Sequence, residues 1–130
     1  EEDIVRVEIA SSQLFQPGDA RLTPAAERLL EQLGGELLRA YPQQRIGVEG
    51  HTSDQPPRGN FRNNHELSTA QATSVFDFLL NRVQFSQAQM VVIGYGSNRP
   101  LFSNATTAGQ QRNERIEIVV FPETVAARRN

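Results

Sequence analysis

The chain of 130 residues has the length of one domain, and its 38% of hydrophobic residues excludes a disordered polypeptide. Thirteen basic and fifteen acidic side chains leave a net charge of −2, so no strong positive field attracts nucleic acid. The absence of cysteine excludes disulfides, thiolate zinc sites and cysteine nucleophiles. We therefore expect one folded domain that does not bind nucleic acid.

The first part of the chain predicts a strand, a helix and a second strand. Apolar and charged residues alternate over 4–9, as is typical of a strand with one face in water. Thr23 and Pro24 favour the start of a helix, and leucines at three- and four-residue spacing continue it until Tyr41. Residues 45–50 are the second predicted strand.

The second predicted helix follows a long polar segment over residues 50–64. Ser68 and Gln71 have the spacing of a capping box, in which a serine caps the helix and a glutamine three residues later bonds back to it. We therefore expect this helix to begin at Ser68 and to bury an apolar side that includes Val75 and Leu79.

Two further strands complete the pattern. The apolar run over 90–93 is typical of a central strand that is buried on both faces. Residues 98–113 are predicted to be a loop, and the last strand spans 115–121, so we place a domain over 1–122 and a tail over 123–130. The order of elements predicts an α/β two-layer sandwich, with one mixed sheet and two main helices on one of its faces.

The sequence lacks the motifs of the common enzyme classes. Gly94 and Gly96 are not followed by the third glycine of a dinucleotide-binding loop, and no G-x-S-x-G nucleophile elbow occurs. The two histidines, His51 and His65, fit no standard metal-ligand spacing even with Asp54, so polar loop or edge histidines are the simpler interpretation. We predict no enzymatic activity, no cofactor and no metal.

Polar side chains are concentrated where the predicted elements connect. Thr52, Ser53 and Asp54 follow the second strand, and Asn64 precedes the second helix. Ligands of open α/β sheets bind at the carboxyl ends of strands, and helix N-termini attract anions. We therefore expect a non-catalytic site for a ligand that carries a carboxylate.

Four segments of the chain match the motifs of one known family, in order and at similar spacing. Residues 14–24 (LFQPGDARLTP) match a loop before the first helix, and residues 48–54 (VEGHTSD) match a G-H-T-D turn. Residues 64–72 (NHELSTAQA) are similar to N-x-x-L-S-x-x-R-A, and residues 94–118 to G-x-G…P…N…T…G-R…N-R-R-V-E-I. Through these segments the chain resembles the OmpA/MotB C-terminal family of periplasmic peptidoglycan-binding domains. The extra residues over 55–63 resemble the MotB branch more closely.

The resemblance implies non-covalent binding of the diaminopimelate-containing stem peptide of peptidoglycan. In the family, an aspartate of the G-H-T-D turn and the arginine of L-S-x-x-R-A hold the charged ends of diaminopimelate. This chain has Ser53 and Gln71 at those positions, although Asp54 follows by one, so we expect weakened or altered specificity. The candidates for a compensating cation are Arg58, Arg62, Arg112 and Arg115.

The candidate ligand-binding residues combine this resemblance with the polar cluster. They are Thr52, Ser53, Asp54, Asn64, Leu67, Gln71, Arg112 and Arg115. The resemblance also implies a periplasmic location and a parent protein tethered to the inner or outer membrane by a segment before Glu1, and it allows a homodimer. The alternative is a degenerate domain that keeps the fold for protein interaction or dimerisation and does not bind peptidoglycan.

Overall fold

A four-stranded mixed sheet organises the fold. The computed structural model describes residues 3–125, and its strands are β1 (Val5–Ala10), β2 (Gln44–His51), β3 (Met90–Gly94) and β4 (Arg115–Thr124). Their order across the sheet is β1-β4-β2-β3, with β2 parallel to β3 and β4 antiparallel to both of its neighbours. The predicted α/β sandwich with one mixed sheet is confirmed.

Two long helices and one short helix accompany the sheet. They are α1 (Pro24–Ala40), α2 (Asn64–Phe78) and α3 (Thr107–Asn113). The predicted start of α1 is confirmed, since the Thr23 hydroxyl accepts a hydrogen bond of 3.1 Å from the backbone N–H of Ala26. No helix within residues 3–125 has the length and apolar character needed to cross a membrane.

The core lies between the two long helices and one face of the sheet. Apolar side chains from β2 and β4 point toward the helices at every second position, which is the period of a strand. The fully buried members of the core include Leu14, Leu30, Ile46, Val48, Val75, Leu79, Ile116 and Ile118. The same alternation places Glu49, His51, Arg115 and Glu117 on the opposite face of the sheet.

The predicted start of α2 at Ser68 is wrong by one turn. The helix begins at Asn64, because the Asn63 side chain accepts a hydrogen bond of 2.8 Å from the backbone N–H of Glu66. Ser68 lies within the helix, where its hydroxyl donates to the carbonyl of His65 and accepts from the backbone N–H of Gly96. Ser68 therefore fastens α2 to the turn after β3 instead of capping the helix.

Three further predictions about the second half of the chain are corrected. The strand β3 lies at an edge of the sheet, and the central position next to β2 is taken by β4. Residues 107–113 of the predicted loop form α3, where the Thr106 hydroxyl accepts from the backbone N–H of Gly109. The strand β4 continues through Pro122 to Thr124, and the predicted tail beyond residue 125 lies outside the described residues.

The end of β2 is held tightly between α2 and the turn after β3. A side chain at Gly50 would place its Cβ 2.1 Å from the carbonyl oxygen of Ser68, so only glycine permits this approach of helix and strand. The backbone N–H of Thr52 donates to the carbonyl of Gly96 at 2.9 Å. The residues that follow β2 therefore start from a fixed position beside the first turns of α2.

Candidate functional site

A cavity of about 420 Å³ opens at the carboxyl end of β2. Its walls come from the connection between β1 and α1, the residues after β2, the first turns of α2, and α3. The loop between β2 and α2 closes one side, because its Arg58 and Gly59 pack against Gly18 of the β1–α1 connection. The cavity therefore lies where the sequence predicts a ligand site.

Five of the predicted site residues line this cavity, namely Thr52, Ser53, Asn64, Leu67 and Gln71. The Thr52 hydroxyl donates to the Ser53 carbonyl at 2.8 Å, which satisfies it locally. The Asn64 amide donates to the carbonyls of Ser53 and Gln55 at 3.3 and 3.0 Å. Asn64 thus ties the loop after β2 to the start of α2, and it contributes to the cavity wall at the same time.

The other three predicted site residues lie outside the cavity wall. Asp54 is exposed, and its carboxylate accepts a hydrogen bond of 3.0 Å from the side chain of its neighbour Gln55. The guanidinium of Arg112 lies over the ring of Phe102, 3.8 Å from its centroid. Arg115 is buried on the opposite face of the sheet. Ligand contact by these three residues stays a prediction, and the cavity itself is built without them.

Of the four arginines considered as replacements for the family arginine, Arg58 is the one that lines the cavity. It extends from the exposed loop between β2 and α2. Arg62 instead pairs with Glu66 one helical turn later, at 3.0 Å. The arginine at the cavity therefore belongs to an exposed loop, whereas the family arginine belongs to the helix.

The carboxylate of the cavity comes from Glu114, a residue that the sequence analysis did not select. The Ser53 hydroxyl donates to this carboxylate at 2.9 Å. In the motif N-R-R-V-E-I, Glu114 takes the place of the first arginine, so the family pattern itself contained the signal. The carboxylate of Glu114 therefore lies beside Ser53, the residue that replaces the aspartate of the G-H-T-D turn.

Gln71 is fixed at the base of the cavity. Its side chain is only 5% exposed, and its Nε2 donates to the backbone carbonyl of Asp19 at 2.9 Å. The predicted capping box with Ser68 is absent, because α2 has already begun at Asn64. Gln71 therefore connects α2 to the β1–α1 connection across the cavity.

The opposite face of the sheet carries an ion-pair network at the same level, with both carboxylates buried and Arg6 partly exposed. Arg6 lies between the carboxylates of Glu49 and Glu117, and Arg115 pairs with Glu117. His51 Nε2 lies 3.2 Å from Glu49. The two guanidinium groups balance the two carboxylates, which accounts for this cluster as a network of ion pairs. Glu49, His51 and Glu117 also offer metal-ligating atoms that lie within 4.8 Å of one another.

The ion pairs set the charge state of this network. Burial alone would raise the pKa of Glu117, but hydrogen bonds from Arg6 and Arg115 outweigh burial and hold that pKa below its ordinary value of 4.5. Burial also opposes ionisation of Glu49, and hydrogen bonds from His51 and Arg6 again lower its pKa. Both carboxylates are therefore ionised at neutral pH.

The interpretation of both histidines as polar loop or edge residues is wrong for His51, which ends the central strand β2 and is only 2% exposed. The ring of His51 stacks on Tyr95 with a centroid distance of 5.1 Å. His65, in the first turn of α2, has its Nε2 3.2 Å from the side-chain amide of Asn98. Neither is joined with Asp54 in a group of metal-ligating atoms within residues 3–125.

A model of the OmpA family matches residues 14–114 of this chain. The peptidoglycan-binding protein ArfA of Mycobacterium tuberculosis is 35% identical over 106 residues, which are 82% of this chain and 31% of ArfA. The cell wall anchor of the T6SS from Pseudomonas aeruginosa has a similar structure, with a TM-score of 0.82 and 28% identity, and the match covers 91% of this chain and 81% of that one.

A MotB-like protein from Desulfovibrio vulgaris is similarly related. Its TM-score is 0.84 at 30% identity, and the match covers 95% of this chain and 76% of that one. The predicted similarity to MotB is therefore confirmed. The chain spans less than half the length of the curated relatives named motility protein B and ArfA.

Proposed function

This chain belongs to the OmpA family, and from that premise we propose that it is a peptidoglycan-binding domain that anchors a larger envelope protein to the cell wall. The family is non-enzymatic, in agreement with the prediction from sequence. Relatives named for peptidoglycan binding and for cell wall anchoring support the proposal. Binding without reaction is the whole activity that we assign to the domain.

The observation that carries the proposal is the cavity between the turn after β2 and the first turns of α2. The wall of this cavity combines Asn64, Leu67 and Gln71 of the segment similar to N-x-x-L-S-x-x-R-A with residues of the segment similar to G-H-T-D, namely Thr52 and Ser53. Its volume of about 420 Å³ suits a peptide side chain and its flanking backbone. The ligand that we propose is the diaminopimelate-containing stem peptide.

The chemistry of the wall supports recognition of an amino group. An ammonium group donates three hydrogen bonds and requires acceptors, preferably with a negative charge. Glu114 supplies a carboxylate at the cavity, held in place by the Ser53 hydroxyl. We propose that Glu114 takes the role of the family aspartate and binds the ammonium end of diaminopimelate.

The location and the parent protein follow from the same premise. We propose that the domain lies in the periplasm and that a segment outside this sequence tethers it to the inner or outer membrane. Two structural relatives, a cell wall anchor of the T6SS and a MotB-like protein, support that arrangement. The domain would then connect a membrane-bound assembly to the peptidoglycan layer without a covalent bond.

Co-sedimentation with purified sacculi tests the proposal through a matched pair of acidic residues. Glu114→Gln removes the charge from the cavity wall, and Asp54→Asn makes the same change outside it. Both side chains are exposed, so the two variants differ in position and not in burial. We expect the first variant to bind about tenfold more weakly, since a charge-assisted hydrogen bond is lost, and the second to bind like the parent.

The outcomes separate the proposal from its alternatives. Loss of binding in Asp54→Asn alone would assign the ammonium to Asp54, as the family resemblance suggests. No retention of the parent domain at low salt, while a control domain of the same family is retained, would contradict peptidoglycan binding. In that case a stable dimer in analytical ultracentrifugation would support the interaction module that retains only the fold.

A further inference from the structure

The buried side chain of Gln71 presents an acceptor to the cavity, where the family arginine presents only donors. Gln71 lines the cavity and is 5% exposed, and its Nε2 donates a hydrogen bond to the carbonyl of Asp19. Within residues 3–125, no group donates a hydrogen bond to its Oε1. Where the family arginine offers donors to a ligand carboxylate, this chain therefore has the unpaired oxygen Gln71 Oε1.

The orientation of this amide is fixed by its partner. A backbone carbonyl has no proton to donate, so the nitrogen of the Gln71 amide must face the carbonyl of Asp19. Rotating the amide by 180° would place two oxygens 2.9 Å apart and lose the hydrogen bond. The Oε1 atom must then point away from Asp19, and a ligand group beside it has to donate a proton.

Several other side chains of the cavity wall are neutral amides. They are Gln16, Gln55, Asn64, Gln110 and Gln111. A free carboxylate against Gln71 would meet an oxygen at close range and would lose its hydration without a charged partner. A carboxamide is neutral and carries two N–H donors, which satisfy Gln71 Oε1 without repulsion.

We propose that Gln71 makes this domain selective for a stem peptide in which the side-chain carboxyl of the diamino acid is amidated. This inference rests on the proposed function. Glu114 binds the ammonium end of the diamino acid, as proposed above. Gln71 Oε1 accepts a hydrogen bond from the carboxamide N–H of the ligand, at the place where the family arginine binds a carboxylate oxygen. The two differences from the family motifs, Ser53 and Gln71, then change which ligand the site prefers and do not abolish binding.

Arg58 is the group that would oppose this selectivity. It lines the cavity and could pair with a free carboxylate, but its side chain lies on an exposed loop. An exposed ion pair is screened by water and salt, so its contribution is small compared with that of a buried hydrogen bond. A peptide with a free carboxyl group is therefore expected to bind, but more weakly and with greater dependence on salt.

Calorimetric titration with two synthetic stem tripeptides tests the inference. The peptides are identical except that the side-chain carboxyl of diaminopimelate is free in one and amidated in the other. We expect the parent domain to bind the amidated peptide about tenfold more tightly. Gln71→Arg should reverse this preference, and its guanidinium can still donate to the carbonyl of Asp19.

Two control variants separate position from charge. Gln111→Arg adds the same charge at an exposed position of the cavity wall, and it should leave the preference for the amidated peptide in place. Arg58→Gln should weaken binding of the free carboxylate only. Thermal unfolding of each variant verifies that it is folded, and the comparison of the two peptides on the parent domain needs no variant.

Each result leads to a different conclusion. If neither peptide binds the parent, the proposed function fails and the inference fails with it. If both bind and the free carboxylate binds equally or more tightly, the function stands and the selectivity is wrong. A preference for the free carboxylate that Arg58→Gln abolishes would place that carboxylate at the loop and would also overturn the inference.

Discussion

At the end of β2, the polar groups on one face of the sheet are paired with each other, whereas those at the cavity keep unused hydrogen-bonding capacity. On the face away from the helices, the carboxylates of Glu49 and Glu117 are enclosed by guanidinium groups at hydrogen-bonding distance. On the cavity side, Gln71 keeps an oxygen that accepts no hydrogen bond within residues 3–125, and Glu114 accepts one from Ser53.

On the face away from the helices, called the paired face below, the charges are already used within the protein, and removing one partner leaves another buried and unpaired. His51 Nδ1 on that face is also buried without a hydrogen-bond partner, so an unsatisfied atom alone does not identify a ligand site. At the cavity, the unused acceptors are open to a ligand.

Arg115 shows why this distinction matters for the site. As a charged residue of a family motif it is a reasonable candidate for ligand contact. Its side chain is 3% exposed, however, and it also donates to the backbone carbonyls of Asn113 and Arg99. Arg115 thus supports the chain segments that lead into β4, and its charge is already used by the protein.

The largest expected effect is on stability, when the paired face loses one of its cations. Arg115→Met leaves Glu117 buried with one partner fewer, and we expect the free energy of unfolding to fall by about 3–5 kcal/mol. Arg112→Met is the matched control, since that arginine is exposed and lies over an aromatic ring. Arg112→Met should lower the free energy of unfolding by less than about 1 kcal/mol, with both variants measured by urea denaturation. Equal losses in both variants would contradict the assignment of Arg115 to the structural network.

A smaller effect is expected from pH on the same network. The pKa of Glu117 is lower in the folded protein than its ordinary value of 4.5, so its ionisation stabilises the fold fully at higher pH. This contribution is lost as the pH falls through the folded pKa, and we expect a loss of about 1.4 kcal/mol for each unit by which the pKa is lowered. Urea midpoints between pH 7 and pH 3 measure it.

Glu117→Gln sharpens the pH experiment. The variant should be less stable than the parent at pH 7, and the difference should narrow as the pH falls, because the parent carboxylate also becomes neutral. A difference that stays constant down to pH 3 would show that the ionised form of Glu117 is not what stabilises the network.

The sequence predicts the elements that depend on local patterns. The cap at Thr23 and the leucine spacing locate α1, and charge alternation locates β1. The start of α2 is missed because two capping signals lie five residues apart, at Asn63 with Glu66 and at Ser68 with Gln71. In the structure Asn63 caps the helix, and Ser68 accepts a hydrogen bond from Gly96 instead of capping.

Features that depend on distant parts of the chain are not predicted. An apolar run such as that of β3 fits an edge strand as well as a central one when a helix covers one of its faces, as α2 does here. The helix α3 has only seven residues and no apolar stripe. The carboxylate of Glu114 reaches Ser53 only because β4 pairs with β2 and places residues 61 positions apart side by side.

The most direct test of the proposed site is an NMR titration of the isotope-labelled domain with the stem tripeptide. Binding at the cavity predicts saturable shifts of the backbone amides of Thr52, Ser53, Asn64 and Gln71, and no comparable shifts at Glu49 or Glu117 on the paired face. Shifts confined to the paired face, or the absence of any saturable shift, would contradict the assignment of this cavity to peptidoglycan binding.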